Sequence, residues 1–301
     1  MPGFYERRSS RAAIWCQRLA VLCIPYFALT ILFHRFAKVT TPQTYWLLAF
    51  GLLLILASLV AGFRAFLDLW NKGLKGGRAT LRGVLLSLAM LAPFLWYGWL
   101  ASTNPQLHDV ATNPFDPPPL GEAARLRAQS PAAGMNELAT YDDTYADLLL
   151  AEYPKVGSRR YNAGAERVLV SVRAILEDRG WTITAERGVP ETAPADAAEN
   201  DEDEGGALPK VTSGKPADKA EVADEERVLP ERIEVEATAA SRILGFRYDV
   251  AIQITSEPEA TLVDMRSASR FGEHDFGINA AMIRDFLADL DQSLLGIAGE
   301  G

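Results

Sequence analysis

The stretch FRYDVAIQIT, residues 246–255, decides the fold of the second half of this chain. Its large apolar side chains recur at every second position, and polar or small side chains occupy the positions between them. Strict alternation of this kind is typical of a β-strand with one buried face. Three other segments, 181–186, 232–238 and 261–269, show the same period of two. The sequence therefore predicts a four-stranded antiparallel sheet with one apolar face.

Two segments around these strands have the period of an amphipathic helix instead. The first, 162–179, has Asn162 as its predicted N-cap and Gly180 just beyond its end, and the second covers about 280–295. Both apolar stripes are expected to pack on the apolar face of the sheet, which gives an α+β fold. The opposite face is expected to look to solvent or to a partner. It carries Glu234, Glu236, Arg247, Asp249, Asp264 and Arg266.

The first third of the chain contains three apolar runs, at about 14–33, 45–63 and 83–101. Each is close to the roughly 20 residues that a helix needs to cross a bilayer, so three transmembrane helices are predicted, with the lipid bilayer as a partner. A cleaved signal peptide is the alternative for the first run, but no small-residue cleavage site follows it. None of the runs has a charged residue near its centre, which favours an anchor over a transporter.

Basic residues predict the orientation of this membrane domain. Four arginines precede or open the first run, and five Lys or Arg residues lie between the second and third runs. By the positive-inside rule the N-terminus is cytoplasmic and everything after residue 101 is periplasmic, which places the chain in a bacterial inner membrane. Ala57, Ala61 and Gly62 form a small-residue face in the second run, suited to helix–helix association within the chain or between copies.

Composition divides the rest of the chain. Residues 102–160 read as a Pro-rich linker and an irregular segment packed on the soluble domain, and 161–295 as the α+β domain itself. Residues 187–230 read as a disordered insert within that domain: 12 acidic and 4 basic residues at 191–227 give a net charge of −8, against −9 for the whole chain. Without a basic excess the chain is not expected to bind nucleic acid. Its two cysteines lie in the first apolar run, so no disulfide framework or thiolate metal site is expected.

The segment RSASRFGEHDFGIN, residues 266–279, is the richest in groups that could do chemistry. A catalytic set of Ser269, His274 and Asp275 is disfavoured because adjacent His and Asp side chains usually point apart. A metal site that also uses His108 and Asp109 lacks a recognised ligand spacing. No catalytic residue, metal or cofactor is therefore predicted.

An anion site is less remote than a triad or a metal site in the same segment. The amides at the start of the last helix favour negative charge, and the candidate ligand residues are Arg266, Arg270, His274 and Asn279. The competing interpretation is structural. Asp264 and Asp275 would neutralise the two arginines, Asn279 would be the N-cap of the helix, and Gly272 and Gly277 would permit a tight turn.

Several motifs together resemble one known family, domain of unknown function 1499. They are HDVATNPFDPP at 108–118, AEYPKV at 151–156, GFRYDVAIQI at 245–254 and VDMRSASRFGEHDFGINAAMIRDFLADL at 263–290. The resemblance covers about 103–295. It marks as motif residues His108, Asp109, Asp249, Asp264, Ser269, Gly272, Asp275 and Gly277. It implies a membrane-linked extracytoplasmic domain, with no established reaction.

The sequence thus favours a membrane-anchored periplasmic module that binds an envelope protein or an anionic envelope ligand. One alternative is an envelope- or lipid-directed enzyme that uses Arg266, Arg270, His274 and Asp275. Another is an accessory subunit of a membrane complex, associated through the small-residue face of the second run.

Overall fold

The computed structural model describes residues 8–36, 38–189 and 231–296, so the predicted acidic insert lies almost entirely outside the described residues. The helices are α1 (Arg11–Arg35), α2 (Thr41–Lys72), α3 (Gly77–Thr103), α4 (Gly121–Gln129), α5 (Asp143–Glu152), α6 (Ala165–Asp178) and α7 (Ile278–Gly296). The strands are β1 (Asp109–Ala111), β2 (Arg159–Tyr161), β3 (Thr182–Arg187), β4 (Arg232–Ala240), β5 (Arg247–Ser256) and β6 (Thr261–Ser269).

Three helices, α1 to α3, are long and apolar enough to cross a membrane, with mean hydropathies of 1.7, 2.4 and 1.7 over their most apolar windows. All three extend beyond the apolar runs by several residues. They pack as a bundle whose interior is narrow: a side-chain carbon added at Gly83 would lie 2.6 Å from Cys16 Sγ. Ser87 donates to Ser58 Oγ at 2.8 Å, and Ser58 donates to the Cys16 carbonyl oxygen at 2.9 Å. These contacts satisfy the polar groups of the bundle within the chain.

The small-residue face of α2 is divided in the structure. Gly62 is buried against Cys16 and Val84, whereas Ala57 is exposed and Ala61 is half-buried. Gly62 therefore serves packing within the bundle. Association between copies through the exposed part of this face stays a prediction.

The predicted antiparallel sheet and its four strands are present, but the count of four was wrong. Within the described residues six strands form the sheet, in the order β1-β6-β5-β4-β3, with β2 also paired to β6. Asp109 pairs with Ala268 and Arg159 with Val263, so β1 and β2 lie end to end along the same edge of β6. Both have three residues, which is too short for an alternating pattern to appear. They come from the predicted linker, 102–160, which thus contributes directly to the sheet.

The apolar face of the sheet is covered by α6 and α7, as expected. Val250, Ile252 and Ile254 of β5 are fully buried, as are Val263 and Met265 of β6. Phe286 of α7 is also fully buried and stacks on Trp181 with ring centroids 5.9 Å apart. Burial of this continuous apolar surface is the main contribution to the stability of the sheet domain.

The opposite face is not open to solvent, which corrects the prediction for four of its residues. Glu236, Asp249, Asp264 and Arg266 are at most 7% exposed. The chain between β1 and α5, including α4, covers this side, and Leu120 and Ala123 pack there on Ala251 and Ala268. A polar side chain can be buried when each of its polar groups has a hydrogen-bond partner. The alternation in the sequence therefore predicts which face of the sheet is polar, but not whether that face is exposed to solvent.

Two predicted helix caps were also wrong. The N-cap of α6 is Gly164 rather than Asn162, because the helix begins only at Ala165. Asn279 lies in the first turn of α7, which begins at Ile278. The prediction for Gly180 fits, since its φ of 65° is the left-handed conformation that ends a helix.

The sheet domain rests on one end of the three-helix bundle. The ring Nδ1 of His34 lies 2.5 Å from the Leu244 carbonyl oxygen, and Arg35 donates to the Arg242 carbonyl oxygen at 2.9 Å. Both contacts join the end of α1 to the turn between β4 and β5. The end of α3 meets the turn before α7 instead, where the ring of Tyr97 packs edge-on against Phe276.

Candidate functional site

The polar residues of 266–279 belong to separate groups in the structure, and the first group is a buried ion pair. Arg266 donates to Asp109 through Nε at 2.9 Å and Nη2 at 2.7 Å, and the Asp109 carboxylate is fully buried. Tyr141 donates to Asp109 Oδ1 at 2.9 Å, and its ring lies 4.7 Å from the Arg266 guanidinium. Burial and the charge of Asp109 raise the pKa of Tyr141 well above its usual value. This pair is closed off from ligands by its own partners.

Asp264 is not the partner of Arg266, contrary to expectation. It accepts a hydrogen bond from Thr112 at 2.7 Å and another from Ser158. Thr112 directly follows β1, and Ser158 directly precedes β2. Asp264 therefore fastens the ends of both short edge strands to β6.

Arg270 belongs to a second ionic cluster, next to α4. It donates to Asp249 Oδ1 from Nε at 2.9 Å and from Nη2 at 2.7 Å, and Arg127 of α4 donates to Asp249 Oδ2 at 2.7 Å. Sequence reasoning did not single out Arg127, because nothing in its own surroundings shows that α4 folds over β5. Two arginines thus share one buried carboxylate.

Asn279 and the two serines of β6 form a third group, at the junction of β6 and α7. Ser267 donates to Asn279 Oδ1 at 2.8 Å, and Asn279 Nδ2 donates to the His108 carbonyl oxygen and to Ser269 Oγ, both at 3.0 Å. Asn279 is fully buried. Its amide is fully used in joining β1, β6 and α7.

The start of α7 already holds a carboxylate, that of Asp275. Its two oxygens accept from the Gly277 and Asn279 amides, each at 2.9 Å. Burial raises the pKa of Asp275, although these hydrogen bonds oppose the shift. An anion predicted at this helix terminus would therefore compete with a side chain of the protein itself.

The geometry does not assemble a triad. His274 Nδ1 accepts from the Phe276 amide at 2.9 Å, so the proton is on Nε2, which donates to the Ala101 carbonyl oxygen at 3.1 Å. Both nitrogens of the ring are engaged without Ser269. His108 Nε2 lies 3.0 Å from the Glu137 carbonyl oxygen, away from His274's contacts. Among the described residues no group of three or more His, Cys, Asp or Glu could hold a metal ion.

A cavity of about 240 Å³ lies where the sheet domain meets the bundle, and we call it the junction cavity. One wall is Tyr45 of α2 and Tyr97 of α3, another is the turn 241–248, and the third is the segment 269–278. Of the four predicted ligand residues only His274 lines it. Of the four residues of the enzyme alternative, His274 and Asp275 line it, whereas Arg266 and Arg270 do not. The structure therefore does not bring the four residues of the enzyme alternative together.

The junction cavity is lined mainly by aromatic and cationic side chains, and also by Asp275, whose two carboxylate oxygens accept hydrogen bonds from backbone amides. The aromatic lining residues are Tyr45, Tyr97, Tyr248, Phe246, Phe271 and Phe276, and Arg242 and Arg247 lie beside them. Within the described residues neither arginine forms an ion pair with an acidic side chain. Sequence reasoning missed this site because its walls come from three distant segments. The enrichment of Tyr and Trp at the ends of the apolar runs was the one available signal.

Comparison with protein families identifies the sheet domain. The family model "Protein of unknown function (DUF1499)" matches residues 109–290, from β1 to the middle of α7. No curated protein and no solved structure matches the chain.

Proposed function

The chain belongs to the DUF1499 family, whose activity is unknown, and from that premise we propose that it is a membrane-anchored extracytoplasmic binding module with its ligand site in the junction cavity. The helices α1 to α3 anchor it in the bilayer. The family domain then presents the cavity at the membrane surface.

The observation that carries this proposal is the composition of the cavity walls. Ligand sites in proteins are concave and mostly apolar, with a few polar groups that fix orientation, and they often form between domains. The junction cavity has this character and lies between the bundle and the sheet domain. Asp275 and Asn279 hold the segment that forms one wall: Asp275 accepts from the backbone amide of Asn279, and the Asn279 side chain donates to the His108 carbonyl oxygen.

The orientation follows from the basic residues of the membrane domain. The end of the bundle far from the sheet domain carries Lys72 at the end of α2, Lys75 in the turn, and Arg78 and Arg82 at the start of α3. Basic residues are retained on the cytoplasmic side, so the sheet domain lies in the periplasm of a bacterial cell.

Reporter fusions test this orientation. A reporter enzyme that is active only outside the cytoplasm should be active when fused after Gly301. The same reporter fused after Gly73, in the turn between α2 and α3, should be inactive. The reverse pattern would place the sheet domain in the cytoplasm and overturn the proposal.

Photocrosslinking in intact membranes tests the cavity as a binding site. A benzophenone amino acid at Phe271, which lines the cavity, should crosslink to a ligand that is identified by mass spectrometry. The matched control is the same amino acid at Val170, which is 60% exposed on α6 and outside the cavity. A crosslinking yield at Phe271 no higher than at Val170 would contradict a binding role for the cavity.

A further inference from the structure

The position of the junction cavity restricts what can enter it. Tyr45 and Tyr97 belong to membrane helices and keep 41% and 39% of their surface exposed. Tyrosine rings at the ends of membrane helices lie at the level of the lipid head groups. A molecule in the cavity is therefore in reach of the bilayer.

Positive charge is concentrated at the same place. Arg242 and Arg247 line the cavity, and both are exposed and unpaired with acidic groups of the described residues. Arg35 adds a third guanidinium, which donates to the Ser241 and Arg242 carbonyl oxygens and so fixes the turn that carries Arg242. Arginine side chains bind phosphate oxygens through charge-assisted, often paired hydrogen bonds.

The turn between β4 and β5 also presents an apolar group. Ile243, next to Arg242, is 70% exposed, although it lies in a turn fastened to the end of α1. An exposed large apolar residue beside a cationic one suits a surface that touches both lipid chains and head groups.

We propose that the junction cavity binds an anionic phospholipid of the surrounding bilayer. Its phosphate group lies beside Arg242 and Arg247, and part of an acyl chain lies between the aromatic side chains. This inference rests on the proposed function and names its ligand class. A volume of about 240 Å³ is small for a ligand pocket, so the cavity takes one end of the lipid while the rest stays in the bilayer.

Native mass spectrometry of the full chain in detergent tests the ligand class. Dioleoyl phosphatidylglycerol and dioleoyl phosphatidylcholine have the same chains and differ in net charge. We expect the anionic lipid to bind about tenfold more tightly. The two arginines contact the phosphate, and in phosphatidylcholine, but not in phosphatidylglycerol, a cationic choline group lies next to that phosphate. Inorganic phosphate alone should not displace the anionic lipid.

Substitution of the two arginines locates the site. Arg242→Gln/Arg247→Gln should lower the affinity for phosphatidylglycerol about tenfold, to that for phosphatidylcholine. Arg167→Gln/Arg284→Gln removes the same charge from exposed positions on α6 and α7 and should leave the preference unchanged. The wild-type comparison of the two lipids does not depend on the folding of either variant.

The outcomes separate this inference from the proposed function. Equal affinity for the two lipids, or displacement by inorganic phosphate, would overturn the ligand class. A preference lost equally in both double variants would assign it to net charge and overturn the site. In these cases a crosslink from Phe271 to another molecule would still support the proposed binding function. Absence of any crosslink at Phe271 would contradict both the binding function and the lipid inference.

Discussion

Asp109→Ala should lower the free energy of unfolding of the sheet domain by about 3–5 kcal/mol, because it leaves the buried Arg266 guanidinium without its counter-charge. Arg266 side-chain exposure is 8%, so water cannot replace the two lost hydrogen bonds. Tyr141 loses its acceptor in the same variant. Pulse proteolysis at increasing urea concentrations monitors unfolding of the full chain in mild detergent. The urea midpoint is then converted to a free energy of unfolding with the slope of that free energy against urea concentration.

A double variant tests whether the lower stability of Asp109→Ala comes from the unpaired charge of Arg266. Asp109→Leu/Arg266→Met removes both charges and should be less destabilised than Asp109→Ala, since the desolvation cost disappears together with the attraction. Glu257→Ala, which breaks the pair of Glu257 with the exposed Arg160, should cost at most about 1 kcal/mol. A double variant less stable than Asp109→Ala would show that the buried pair is not an isolated charge pair.

The sequence contained the partners of this pair but not the pairing. The motifs quoted for the family resemblance contain both Asp109 and Arg266, whereas the charges on the strand suggested Asp264 as the partner of Arg266. The contact with Asp109 depends on β1, a strand of three residues that joins the edge of β6. A strand of three residues contains only about one and a half periods of the alternation, which is too few for the pattern to be recognised.

The elements that were predicted correctly all carry a pattern over many residues. The alternation in β5 and β6 and the apolar stripes of α6 and α7 located the core, because burial of apolar surface there decides the fold. The same alternation put polar residues on the other face but did not reveal that α4 covers it. On this covered face Asp249 pairs with Arg127 of α4, which is 122 residues away along the chain.

The junction cavity shows a different limit. Arg242 lies in a turn and Tyr45 in the long apolar helix α2, and each residue taken alone is ordinary for its element. They form one site only because the sheet domain is held against the helices by contacts to backbone carbonyl oxygens. His34 of α1 contacts the Leu244 carbonyl oxygen, and His274 contacts the Ala101 carbonyl oxygen of α3. Contacts to backbone atoms depend little on residue type, so they leave no mark in the sequence.

Phe286→Ala should have an effect as large as that of Asp109→Ala, about 3–5 kcal/mol, by a different mechanism. The ring is fully buried between α7 and the sheet, where it stacks on Trp181 and lies 5.7 Å from the Arg179 guanidinium. Its removal loses the transfer free energy of the ring and leaves a cavity that the neighbouring strand cannot fill. The urea midpoint of the full chain, measured by pulse proteolysis, gives the loss.

The matched control lies on the same helix. Leu295→Ala removes an apolar side chain that is 75% exposed and should change the free energy of unfolding by no more than about 0.5 kcal/mol. Asp275 and Asn279 fasten the start of α7 to the turn and to β1, so the helix keeps its place when one core side chain is shortened. The lipid preference of Phe286→Ala should therefore survive at urea concentrations below its midpoint. A loss of stability below about 1 kcal/mol would mean that α7 is not held on the sheet by this ring.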